Sequence, residues 1–88
     1  MSVGDRLGRN VFMARRRAGL SQEKLAARAG LHRTEISLLE NGGRIPRVDT
    51  LMKLAGALEV PASELLRGME WKPPPPSQEG GWSSRPVA

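Results

Sequence analysis

Arg33, Thr34, Ser37 and Leu38 fall within one short stretch, HRTEISLLENG, and their chemistry converges on base edges. A guanidinium fork donates two hydrogen bonds to the O6 and N7 of guanine, a pairing worth about 1–3 kcal/mol of discrimination. Thr34 offers a hydroxyl and a methyl, Ser37 a hydroxyl for a base or a phosphate, and Leu38 an apolar surface for a thymine methyl. A leucine on an amphipathic helix is more often core, and that alternative stands beside the thymine contact. Around these four are side chains suited to phosphate: Gln22 with the amides of a helix N-terminus, and Asn41 with the backbone at Gly42 and Gly43. Arg44 and Arg47 suit a phosphate or minor-groove contact, or are solvated loop arginines. Such contacts set register without reading sequence and make affinity steeply salt-dependent.

Those side chains need a rigid element to hold them. Residues 21–42, SQEKLAARAGLHRTEISLLENG, read as two short helices joined by a glycine turn. Ser21 is a good N-cap, and Glu23 favours the positive helix end. Ala26 allows close approach of the two helices, and Gly30 ends the first of them in the left-handed conformation. With Ile36 at zero on a wheel for the second, Leu39 lies at about 300° and Glu40 at about 40°, the inward side. Ser37, Asn41, Thr34 and Leu38 run from about 100° to about 200°, an outward face, with Arg33 flanking it at about 60°. Glu35, at about 260°, suits a cytosine amine, or more simply a solvated or helix-capping position. This is the logic of a helix-turn-helix, whose second helix, about 32–41 here, enters the major groove.

An inward carboxylate is costly unless paired. Arg15 lies at the edge of the buried stripe of the first helix, so an Arg15–Glu40 pair joining that helix to the third is expected. His32 stands where the third helix starts, suited to a phosphate or to capping.

The rest of the chain supplies the scaffold. Leu7, Val11, Ala14 and Ala18 mark an amphipathic helix from about Asp5 to Ala18, ended by Gly19. Val48, Leu51, Met52, Ala55 and Leu58 mark a fourth helix, and Pro61 to about Arg67 a short fifth one with Leu65 and Leu66. Met13, Met52 and Met69 read as packing residues, and Phe12 lies off the core stripe. The expectation is an all-α fold of five helices with no strand. Residues 1–68 form the domain, and 69–88, with four consecutive prolines and then glycine and serine, form a flexible tail.

Composition narrows the function classes. The chain has 88 residues, a net charge of +5, no cysteine and one histidine. Metal ligation, disulfides and histidine-dependent nucleophilic catalysis therefore lack their groups, no cofactor is expected, and an enzyme is poorly supported. No apolar run approaches a membrane span and no signal-like segment opens the chain, so a cytoplasmic protein is expected. Residues 1–47 carry ten basic against four acidic side chains, and residues 48–88 carry four against five. The surplus positive charge thus shares the half that holds the helix pair, the footprint of a polyanionic partner.

Residues from about Leu7 to Arg67 resemble the phage repressor/Cro-type, or Xre, family of helix-turn-helix proteins. The likeness is carried by LGRNVFMARRRAGLSQEKLA, AGLHRTEISLLENG, IPRVDTLMKLAGALEV and PASELL, and LHRTEIS is especially similar to controller proteins of restriction–modification systems. The resemblance implies a compact, lambda-repressor-like five-helix domain and a transcriptional regulator, usually a homodimer on palindromic double-stranded DNA. It implies backbone contacts at Gln22 and Asn41, base contacts at Arg33, Thr34, Ser37 and Leu38, and a buried Arg15–Glu40 pair. Leu38, often polar in the family, and Pro61, often a serine-like cap, depart from its pattern. A dimeric repressor is the expectation, with Leu65, Leu66, Met69 and Trp71 as interface candidates. The alternative is an antitoxin or adaptor whose proline-rich tail binds another protein.

Overall fold

Each helix starts and stops where a side chain or a glycine satisfies the backbone groups that the helix leaves open. The computed structural model describes residues 2–76 and 80–84. Helix α1 (Val3–Arg17) starts two residues before the predicted boundary because Ser2 and Asp5 form a reciprocal capping box. The Asp5 amide donates to Ser2 Oγ at 3.1 Å, and Asp5 Oδ2 accepts from the Ser2 amide at 3.3 Å. The hydrogen bond with the Ser2 side chain holds the Asp5 carboxyl below its ordinary range.

Helix α2 (Gln22–Ala29) is capped by Ser21, whose Oγ accepts the Lys24 amide at 3.1 Å, and ends at Gly30 with φ of 69°. Helix α3 (Arg33–Glu40) begins at His32, whose Nδ1 accepts the Thr34 amide at 3.1 Å. Of the two roles that the sequence leaves open for His32, capping is the one seen. α3 closes through Gly43 N–H to Leu38 O at 2.9 Å, with Gly42 at φ of 77°.

Helix α4 (Val48–Leu58) corrects the sequence reading. Its buried residues are Thr50, Leu54, Ala55, Ala57 and Leu58, whereas Val48 and Met52 are exposed. The reason is tertiary: α4 packs against α2 on one side and α5 (Ala62–Leu65) on another, which turns Thr50 and Leu54 inward. Leu65 is fully buried, and Asn10 Nδ2 in α1 donates to both Leu65 O and Arg67 O at 2.9 Å, clamping the end of α5 onto α1. The core is formed by Leu7, Val11, Leu25, Ile36, Leu39, Leu54 and Leu65, with Leu20, Leu58 and several alanines around them.

No strand is expected from the residue pattern, yet the described residues include a short antiparallel pair. Strand β1 (Met69–Lys72) pairs with β2 (Gly81–Ser84), with Trp71 opposite Trp82. The two indoles meet edge to face, centroids 5.3 Å apart and planes at 66°, the kind of cross-strand aromatic pair that holds a hairpin. Gly80 leaves room for the Trp71 ring, since a Cβ there would collide with it. Residues 77–79 and 85–88, part of the segment read as tail, lie outside the described residues.

Candidate nucleic-acid interface

The placement of α3 begins with two glycines. A Cβ on Gly8 would overlap Leu39 O, and one on Gly4 would come within 2.8 Å of Gly42 O. These bare positions let α1 lie directly on the C-terminal half of α3. Ile36 and Leu39 complete the grip from within, at 0% and 1% exposure. Sequence pattern alone assigns no role to Gly4 or Gly8, and the close approach of α1 appears only in the structure. Two glycines four apart on one helix face were the signal available.

A buried polar network locks the same side. Arg15 Nε donates to Glu40 Oε2 at 2.6 Å and Arg15 Nη2 to Glu40 Oε1 at 3.0 Å, a two-pronged pair. Arg15 Nη1 also donates to Leu20 O at 2.9 Å, and Gln22 Nε2 donates to Glu40 Oε1 at 3.1 Å. Both charged side chains are almost wholly enclosed, at 9% and 5% exposure. Glu40 thus joins α1, α2 and α3 at one point. Gln22, half-buried at the start of α2, keeps a second amide hydrogen for an outside acceptor.

The opposite side of α3 faces solvent. Arg33, Thr34, Leu38 and Asn41 are exposed, and Ser37 is half-buried beside them. Arg44 and Arg47 are exposed in the loop that follows. Arg33 Nε pairs with Glu23 Oε1 of α2 at 3.2 Å, a contact across the turn that sequence reading did not find. Both partners are well exposed, so the pair is worth at most about 1 kcal/mol and yields readily to a stronger acceptor. Arg47 Nε lies 3.5 Å from Asp49 Oδ1, a similarly exposed pair. Glu35 is half-buried, and Ile45 stands exposed between the two loop arginines. Phe12 is flanked by the guanidiniums of Arg15 and Arg16, 5.3 and 5.8 Å from its ring centre.

The geometry is thus a short helix, anchored from behind, presenting arginine, hydroxyl and apolar groups on one free face. Residues 12–65 match the helix-turn-helix family, more than half of the chain. A helix-turn-helix-type transcriptional regulator of Sinorhizobium fredii is 42% identical over 66 residues, covering 75% of this chain and 86% of the relative. The control protein C.SmaI of Serratia marcescens is 41% identical over 66 residues, covering 75% and 79%. Among solved structures, the restriction-modification controller protein C.AhdI of Aeromonas hydrophila matches with a TM-score of 0.69 and 35% identity, covering 70% of this chain and 94% of that one. The chain belongs to the helix-turn-helix family, in its Xre/Cro-type branch, and so to the DNA-binding transcriptional regulators. No described helix is long and apolar enough to cross a membrane.

Proposed function

We propose that the protein is a sequence-specific regulator of double-stranded DNA, a homodimeric repressor that inserts α3 into the major groove. The observation that carries this is the two-sidedness of α3: Ile36, Leu39 and Glu40 are enclosed while Arg33, Thr34 and Leu38 face solvent. Arg33, Thr34, Ser37 and Leu38 read bases. Gln22, oriented by Glu40, holds a phosphate with its second amide hydrogen, and Asn41, Arg44 and Arg47 hold others. A module this small has limited specific affinity alone, and two copies reading half-sites about one helical turn apart supply the rest. Because Leu65 lies wholly in the core, the dimer contact falls instead to Leu66 and the residues after it, where Leu66 and Trp71 are exposed. The control and controller proteins among the relatives support the regulatory role.

Selection of bound sites from random DNA at a fixed salt concentration tests the reading. The selected sites should be palindromic. Arg33→Ala should lose discrimination at one base pair per half-site, by about 1–3 kcal/mol. Arg44→Ala should weaken all sites alike and flatten the salt dependence by about one unit of slope. Retention of wild-type selectivity by Arg33→Ala, Thr34→Ala and Leu38→Ala would sink the assignment of the reading face.

A further inference from the structure

The imidazole of His32 has one nitrogen engaged and one free. Nδ1 accepts the Thr34 amide at 3.1 Å and so caps α3. A ring nitrogen that accepts from an N–H carries no proton, so the proton of the neutral ring resides on Nε2. The cap therefore does two things: it satisfies an open amide of the helix and fixes the tautomer of the ring. The ring is exposed, and among the described residues Nε2–H has no protein acceptor.

Direction follows from the same bond. The two nitrogens lie on opposite flanks of the ring, so with Nδ1 turned back onto the first turn of α3, Nε2 is turned away from it. That first turn carries Arg33 and Thr34, both exposed. A helix that reads the major groove sends its first residues toward base edges, and a group just ahead of them meets the sugar-phosphate wall of the groove. An oriented N–H without a protein acceptor at that place suits a phosphate oxygen. Capping by itself does not call for an imidazole, since serine hydroxyls cap α1 and α2 at Ser2 and Ser21. The ring adds reach and a donor of fixed direction.

We propose that His32 is a further DNA contact, a neutral donor that holds a backbone phosphate through Nε2–H while Nδ1 caps the reading helix. This rests on the insertion of α3 into the major groove. The contact differs in kind from those of the arginines, because a neutral donor displaces no counterion from the duplex.

The test is His32→Ser, which keeps a capping hydroxyl and removes the ring. Fluorescence anisotropy titrations of the full chain with a selected site and with a random duplex, over a range of salt concentrations, read the contact. His32→Ser should bind both duplexes about three- to tenfold more weakly per subunit, with the salt slope unchanged. In urea melts it should unfold close to wild type, whereas His32→Ala also loses the cap and should unfold earlier. A scan of the selected site with single methylphosphonates should find one phosphate per half-site whose neutralisation weakens wild type more than His32→Ser. Wild-type binding by His32→Ser would overturn the contact alone, provided that Arg33→Ala still loses discrimination. A flatter salt slope, which marks a charged contact, or a loss confined to one base pair, which marks base reading, would overturn it too. Unchanged selectivity in Arg33→Ala would overturn the reading by α3 and this contact together.

Discussion

On its inner side α3 is gripped by two glycines of α1, by Ile36 and Leu39 in the core, and by a carboxylate bonded to Arg15 and Gln22. On its outer side, among the described residues, the same two-turn helix has one exposed ion pair, Arg33 with Glu23, while Thr34 and Leu38 face solvent and Ser37 is half-buried. The contrast explains how a helix of eight residues, marginal by itself, can act as a rigid reader. Its order comes almost wholly from behind, which leaves the front free to be chosen for chemistry. Changes on the two sides should therefore separate cleanly, stability behind and recognition in front.

The largest effect should come from splitting the buried pair. Glu40→Ala leaves the Arg15 guanidinium enclosed without its carboxylate and should lower unfolding free energy by about 3–5 kcal/mol in urea melts. Replacing both partners, Arg15→Met with Glu40→Leu, should recover most of that loss, because the unpaired charge disappears. Arg15→Ala should likewise cost more than Arg16→Ala or Arg17→Ala, whose side chains are exposed. Equal losses in thermal melts would show that the network does not anchor α3.

Next in size is the glycine contact. Gly8→Ala places a methyl against Leu39 O and should destabilise by about 1–3 kcal/mol, even though alanine favours helix more than glycine. A stabilised Gly8→Ala protein would mean that α1 does not lie this close to α3. At the start of the helix, His32→Ala removes the acceptor for the Thr34 amide and should cost about 1 kcal/mol, with His32→Asn costing less. The smallest stability change belongs to the front: Thr34→Ala should stay within about 0.5 kcal/mol in melts while altering site preference in DNA binding. A large loss of stability there would blur the division between the two sides.

Punctuation was the most legible part of the fold. Ser21, Gly30 and the Asn41-Gly42-Gly43 run act on their own backbone or on residues three to five away, so their type and order suffice to place α2 and α3. The wheel that put Glu40 inward and Thr34 outward is likewise local, and in the structure Glu40 is enclosed and Thr34 exposed. The start of α1 was misplaced by two residues because the Ser2–Asp5 capping box went unread, although its spacing was visible. The reading of α4 had another cause. Apolar residues on nearly all sides of a helix do not say which arc is buried, and the positions of α2 and α5 settle it.

The boundaries of α2 and α3, the outward face of α3 and the concentration of positive charge in the first half were determined by the chain alone, because each depends on residue type and short-range periodicity. By contrast α5, expected to run to about Arg67, ends at Leu65. Tertiary structure decided which glycines serve as contact surfaces, that Asn10 clamps the end of α5, that Glu23 holds Arg33, and that the two tryptophans pair across a hairpin. Those contacts join groups that are distant in sequence, or that sit on different elements across a turn. Only the assembled helices bring such groups within reach, and no local preference encodes their meeting.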